Sequence, residues 1–136
     1  MEVVEGYVAL EAIEASAVIG ILEAAGLDVR SRLFAFPIVA GKLTGGGTAL
    51  SGNLTGDTPS KPFGGGEEIA FSPDGRTVFF AQREGGAKEP TSTNLDIYAS
   101  PSDGSSAPTN LTDANDAFDN LPAVSPDGRT LAYVAM

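Results

Sequence analysis

The stretch Ile69-Ala70-Phe71-Ser72-Pro73-Asp74-Gly75-Arg76-Thr77-Val78-Phe79-Phe80-Ala81 returns as Ala123-Val124-Ser125-Pro126-Asp127-Gly128-Arg129-Thr130-Leu131-Ala132-Tyr133-Val134-Ala135. Six consecutive residues, Ser-Pro-Asp-Gly-Arg-Thr, are identical at a spacing of 53. Each copy reads as a β-hairpin. Proline at the second turn position presets φ, aspartate tolerates the third, and glycine supplies the positive φ that turns the chain back into a strand. The flanks alternate as strands do. Phe71, Val78 and Phe80 are expected on one face of the first copy, matched by Val124, Leu131 and Tyr133 in the second.

A looser repeat surrounds the hairpins. Leu33-Phe34-Ala35-Phe36-Pro37 resembles Leu95-Asp96-Ile97-Tyr98-Ala99-Ser100-Pro101, and Leu50-Ser51 resembles Leu111-Thr112, at spacings of 62 and 61. The order is strand, Gly-rich or Ser/Gly-rich turn, strand, loop, then the Pro-Asp-Gly hairpin, which makes four short strands per unit. Periodicity in this range belongs to propellers, solenoids or arrays, and four strands per unit is the composition of a propeller blade. The expected fold is therefore mainly β, a partial β-propeller of about one full four-stranded blade plus two half blades, with an N-terminal α-helical segment. The last half of one blade is placed near residues 32–52, a middle blade at 67–82 and 94–112, and the first half of another at 121–136. That set cannot close a ring of four to eight blades, and the strand pattern is still running at Met136. The chain is accordingly expected to be a piece of a larger protein.

Residues 1–30 differ in character from 31–136 and are read as a separate helical leader. Leu10, Ile13, Ala17, Ile21 and Leu22 recur at helical spacing between about Ala9 and Ala25, and Gly26 stands where a helix C-cap belongs. No strand alternation is read before about Arg30. The acidic start, Glu2 and Glu5 followed by Glu11, Glu14 and Glu23, is unlike a signal peptide, and no stretch is long and apolar enough to read as a membrane span. Nothing in the sequence assigns a compartment.

Composition excludes several chemistries. The 136 residues contain no histidine and no cysteine, so neither a Ser-His-Asp nor a Cys-His arrangement, nor a His- or thiolate-ligated zinc, can be built from this chain. A net charge of −10 with only 8 Lys and Arg argues against nucleic acid, which needs a basic stripe, and against anionic membranes.

Three stretches carry features of a site. Thr44-Gly45-Gly46-Gly47 and Gly64-Gly65-Gly66 superficially look like phosphate-cradling loops, but neither runs on into Gly-Lys-Ser/Thr or a helix, so flexible inter-strand loops are expected. Asp113 and Asn115 could open a calcium loop. The template's sixth and twelfth positions, Gly and Glu, are here Phe118 and Val124, so Asp113–Asn120 is read as a solvated loop. Glu67-Glu68 is a carboxylate pair that could hold a substrate amino group. Adjacent strand residues point to opposite faces, so an exposed strand start is preferred. No residue is assigned a catalytic, cofactor-binding or metal-ligating role, and no cofactor is expected.

From about Ser31 to Met136 the chain resembles the β-propeller of bacterial peptidases of the prolyl oligopeptidase family, in the dipeptidyl aminopeptidase and acylaminoacyl peptidase branch. The resemblance is carried by Ser31–Ile38, by Asp57–Thr77, by Ser92–Ala99 and by Asn110–Tyr133. The Ser-Pro-Asp-Gly hairpin alone is shared with the Tol-system propeller protein TolB and with WD-like repeat proteins, which leaves a non-enzymatic protein- or peptide-binding module as the alternative. The peptidase resemblance implies a propeller that caps an α/β-hydrolase domain and admits only small peptides, with the catalytic Ser, Asp and His on that domain. The partners implied are a peptide substrate and the hydrolase domain. The chain has no Gly-x-Ser-x-Gly elbow, so it is expected to hydrolyse nothing by itself. Self-association through uncovered strand edges is a further expectation.

Overall fold

A computed structural model describes residues 2–4, 7–9, 24–26 and 30–136. The centre of the fold is a four-stranded antiparallel meander formed by β7 (Ile69–Phe71), β8 (Thr77–Gln82), β9 (Asp96–Pro101) and β10 (Thr109–Asn110), in the spatial order β10-β9-β8-β7. Before it stand two short antiparallel pairs, β3 (Phe34–Ala35) with β6 (Thr48–Ala49) and β4 (Ile38–Val39) with β5 (Lys42–Leu43). After it stands β11 (Asp119–Val124) paired with β12 (Leu131–Ala135). The chain is thus mainly β and propeller-like, with one complete four-stranded unit between two hairpins, as the internal repeat predicts.

Both copies of the repeat turn are built alike. Gly75 and Gly128 have φ of 70° and 69°, the left-handed region that the turn requires. The serine and aspartate do more than tolerate the turn. Ser72 Oγ donates to Asp74 Oδ1 at 2.6 Å and accepts from Thr77 N at 2.9 Å, while Asp74 Oδ1 also accepts from Arg76 N at 3.0 Å. Ser125, Asp127, Arg129 and Thr130 repeat this network at 2.6, 3.0 and 3.1 Å. The β4–β5 connection is a two-residue turn at Ala40 and Gly41, both at positive φ (49° and 76°), the combination that matches the twist of a tight hairpin.

The core lies on β8 and β9. Val78, Phe80, Ala81, Leu95 and Ile97 are buried, and the Phe80 and Tyr98 rings stack with centroids 5.9 Å apart. Phe80 and Tyr98 are register partners on one face, whereas Ala81 and Ile97 are register partners on the other. The sheet is therefore buried on both faces near its middle. The loop at Gly56–Thr58 covers the Gln82 end of the first face, where Gln82 Nε2 donates to Gly56 O and Thr58 Oγ1. Strand β11 packs across β7, β8 and β9 and is tied on by Leu95, whose N–H donates to Ala117 O and whose carbonyl accepts from Asp119 N.

Phe71 lies on one face with Val78 and Phe80, as expected, since Phe71 is opposite Val78 and Ile69 opposite Phe80 in the β7–β8 register; it is nevertheless 60% exposed, because it ends β7, the edge strand of the meander. Tyr133 is likewise exposed on β12. The first thirty residues are not free of strands: β1 (Glu2–Val4) pairs antiparallel with β2 (Tyr7–Ala9). Val3, Val4, Tyr7 and Val8 are strand formers, but runs of three residues are too short for alternation to register. Of the helix expected between about Ala9 and Ala25, Ala9 is instead the last residue of β2 and residues 10–23 lie outside the described residues. At its end Ala24 is helical and Gly26 has φ of 79°, the left-handed conformation of a C-cap.

Candidate functional site

A cleft of about 280 Å³ opens between the segment Ser60–Glu68, Arg83 at the end of β8, and the segment from Phe118 to Leu121 where β11 begins. Its floor is set by Glu68. Gly66–Glu68 form a single 3-10 turn ahead of β7, and this turn carries the Glu68 side chain inward while Glu67 remains exposed. The Glu68 carboxylate accepts from Ser60 N and Ser60 Oγ, both at 2.7 Å, and from Asn120 Nδ2 at 2.7 Å. One buried anion therefore joins the loop before β7 to the first strand of the next repeat unit, and its charge is met by three donors, as a buried carboxylate requires.

The opposite wall is a bulge. Leu121 has φ of 58°, a left-handed conformation that an ordinary L-residue adopts at a cost of about 1–2 kcal/mol, and the β11–β12 register shifts between Asn120 and Ala123 at this point. Asn120 holds the bulge from both ends: its Oδ1 accepts from Leu121 N at 2.7 Å and its Nδ2 reaches Glu68. The bulge turns Leu121 outward into the cleft, opposite the exposed ring of Phe63.

Arg83 marks the polar side. Its Nε is buried without a hydrogen-bond partner among the described residues. Behind it, Asp57 receives Lys61 Nζ at 3.3 Å and Arg30 at 3.4 Å, and Arg30 also pairs with Glu89 at 2.8 Å. Gly56 is indispensable to this wall, since a Cβ there would lie 1.7 Å from Arg83 O. The cleft thus presents apolar surface (Phe63, Leu95, Phe118, Leu121), an exposed carboxylate at Glu67 and the guanidinium of Arg83. This equips it to hold a small amphipathic ligand. The Ser60 hydroxyl, the one alcohol lining it, is already engaged with Glu68.

Glu67 and Glu68 do line one cleft, but Glu68 is a buried structural anion and not part of an exposed strand start, because the pair sits on a 3-10 turn ahead of β7. Gly64 is not slack: a Cβ there would meet Glu68 Oε2 and Ser60 O at 2.4 Å. Gly45 and Gly47 lie between β5 and β6, and the Phe36 ring lies against Gly47. In the segment Asp113–Asn120 the first residues are exposed as expected, but Asp119 and Asn120 are buried. Asp119 Oδ1 accepts from Asn115 Nδ2 at 2.8 Å, closing the loop on itself. No group of three or more acidic side chains converges as a metal site among the described residues. Sequence reasoning missed Ser60, Arg83 and Asn120. The one signal for Asn120 was the repeat itself, which sets it at the position of Glu67, a polar residue five places before the turn serine in both copies.

The chain is similar to curated dipeptidyl peptidases. It is 35% identical over 81 residues to dipeptidyl-peptidase 5 of Porphyromonas gingivalis, covering 59% of this chain and 12% of that protein. It is 35% identical over 95 residues to dipeptidyl-peptidase 5 of Porphyromonas endodontalis, covering 69% of this chain and 14% of that one. A probable dipeptidyl-peptidase 5 of Emericella nidulans is 31% identical over 86 residues, covering 59% and 12%. The chain spans about an eighth of the length of these relatives. No family model and no solved structure matches.

Proposed function

We propose that this chain is a non-catalytic segment of the N-terminal propeller of a serine peptidase of the prolyl oligopeptidase family, whose complete propeller gates peptide access to an α/β-hydrolase domain. The observation that carries the reading is the coincidence of two things in one stretch: a four-stranded unit flanked by two half units, and partial identity to proteins named dipeptidyl-peptidase 5. The absence of histidine from the sequence gives the chain no imidazole with which to activate a serine. The cleft at Glu68 adds amphipathic surface suited to a peptide, without a free nucleophile on its lining.

The test is an exchange. The segment of Porphyromonas gingivalis dipeptidyl-peptidase 5 that aligns with this chain is replaced by the corresponding residues, and the chimera is assayed on dipeptidyl chromogenic substrates beside the isolated chain. The isolated chain is expected to be inert, and the chimera to fold and keep hydrolysing within about tenfold of its parent. Cleavage by the isolated chain, or a folded chimera without activity, would overturn the reading.

A further inference from the structure

Of the chain's Lys and Arg side chains, only Arg30 and Arg83 are partly buried. Arg30 is met by Asp57 and Glu89. Arg83, at the end of β8, forms no ion pair among the described residues, and its Nε is buried without a hydrogen-bond partner. A partly desolvated guanidinium left in this state is costly, and it stands out in a chain with 18 Asp and Glu against 8 Lys and Arg. The carboxylates around it are committed elsewhere. Asp57 takes Lys61 and Arg30, Glu89 takes Arg30, and Glu68 takes Ser60 and Asn120. Glu67 is folded back on its own turn, with Oε2 2.6 Å from where a Cβ on Gly65 would stand.

We propose that Arg83 is the recognition residue of the cleft and that its ligand is a carboxylate on an apolar stem, either an acidic side chain or the free C-terminus of a peptide. The inference deepens the reading of the chain as a segment that meets peptides, and rests on it for the class of ligand. A guanidinium presents Nε–H and one terminal N–H as a parallel pair that matches the two oxygens of a carboxylate. One such ligand therefore satisfies the buried Nε and the unpaired charge together. Beside Arg83 the lining is apolar, with Phe63, Leu95, Phe118 and Leu121; these side chains cover the ligand's stem and keep water from the ion pair, which strengthens it. The volume of about 280 Å³ is close to the lower bound of ligand pockets, about 300 Å³, and so takes one end or one side chain of a peptide. Nor does the cleft arise from an unfinished sheet. Strand β8 has a neighbour on each edge, and β12 is paired with β11, so a further strand of that unit would join β12 on the side away from the cleft.

Titration of the full chain with three acetylated dipeptides tests the proposal, read by the NMR signal of the Arg83 Nε–H, with circular dichroism as the folding control. Acetyl-Phe-Glu amide carries only a side-chain carboxylate, acetyl-Phe-Gln acid only a terminal one, and acetyl-Phe-Gln amide none. The amide without a carboxylate is expected to bind about tenfold more weakly than the better acid, and whichever acid binds tighter names the source of the carboxylate. The Nε–H signal should move with the acids alone, and salt should weaken their binding. Arg83→Gln should abolish the preference for acids. Arg83→Lys, which keeps the charge and the stem but not the fork, should weaken acid binding about tenfold, whereas Arg76→Gln, on an exposed turn, should leave it unchanged. Equal binding of the three peptides, no binding of any by the folded chain, or a preference that survives Arg83→Gln would overturn the inference. Hydrolysis plays no part in this readout. An active chimera beside a chain indifferent to carboxylates overturns this inference alone, and an inactive folded chimera beside a carboxylate-selective chain overturns only the peptidase reading.

Discussion

At Glu68 three donors from two distant segments meet one buried carboxylate, so removing it strands all of them at once. Glu68→Ala is expected to cost about 2–4 kcal/mol, on the scale of hydrogen bonds to charged groups and of donors left unsatisfied in the interior. Glu68→Gln, which keeps one acceptor oxygen, should cost less; urea midpoints of the two variants order them. Asp96 points the other way. Burial is the main cause that raises its pKa above the usual 3.8, assisted by the negative charges of Asp113, Asp119 and Asp116, and opposed by the Asn110 hydrogen bond. A carboxyl whose pKa rises on folding disfavours the folded state once it is ionised. Asp96→Asn, which can still accept from Asn110, should therefore raise the melting temperature at pH 7 and lose that advantage as the pH falls below the carboxyl range. Neither role was legible in the sequence. Glu67-Glu68 looked like two exposed strand residues because nothing local announces a 3-10 turn, and Asp96 looked like one polar position in an alternating strand. What decides both is the company they keep across 8 to 52 residues of chain.

The elements of the repeat were legible to within a few residues, because short-range chemistry specifies them, whereas β1 and β2 were not. In the Ser-Pro-Asp-Gly-Arg-Thr turn the serine hydroxyl, one aspartate oxygen and the backbone N–H groups of the arginine and threonine bond to one another, and the same three hydrogen bonds recur 53 residues later. These bonds explain why Asp74 and Asp127 both have pKa values below the usual 3.8: the serine hydroxyl comes first and the backbone N–H of Arg76 or Arg129 second, each favouring the ionised form. For an acid with a depressed folded-state pKa, the stabilisation is complete above the unfolded value and vanishes as pH drops through the folded one. The turns should therefore hold at neutral pH and loosen below about pH 3.8. In the double variant Asp74→Asn, Asp127→Asn, the acid limb of the stability profile should be shallower than in the parent chain, which thermal melts from pH 2 to 5 would show. An unchanged limb would mean the turns carry no linkage. At Phe71 and Tyr133 the alternation gives the face but not the exposure, since burial depends on whether a neighbouring strand or sheet covers that face.

Over the whole molecule, stability is concentrated where the repeat unit is complete. Strand β8 is paired on both edges and buried on both faces, and Ile97 on β9 is fully enclosed. In β4–β5, by contrast, Ile38 and Leu43 are 70% and 67% exposed. The one-dimensional repeat could reveal how many units there are, and it did so; it could not reveal which unit is the keystone, because that follows from how many neighbours each strand finds. Truncating Ile97 to Ala opens a cavity in a close-packed site and is expected to cost about 2–5 kcal/mol, whereas Ile38→Ala at a solvent-facing site should stay within about 0.5 kcal/mol. Hydrogen exchange on the parent chain gives the matching map. Amides of β8 and β9 should exchange through the costliest opening, and those of β4–β5 through local opening at a small fraction of it, since protection follows buried contacts and paired edges. Equal protection in β4–β5 and β8–β9, or equal costs for the two isoleucines, would mean that the half units are as firmly built as the complete one. The central meander would then not be what holds the chain together.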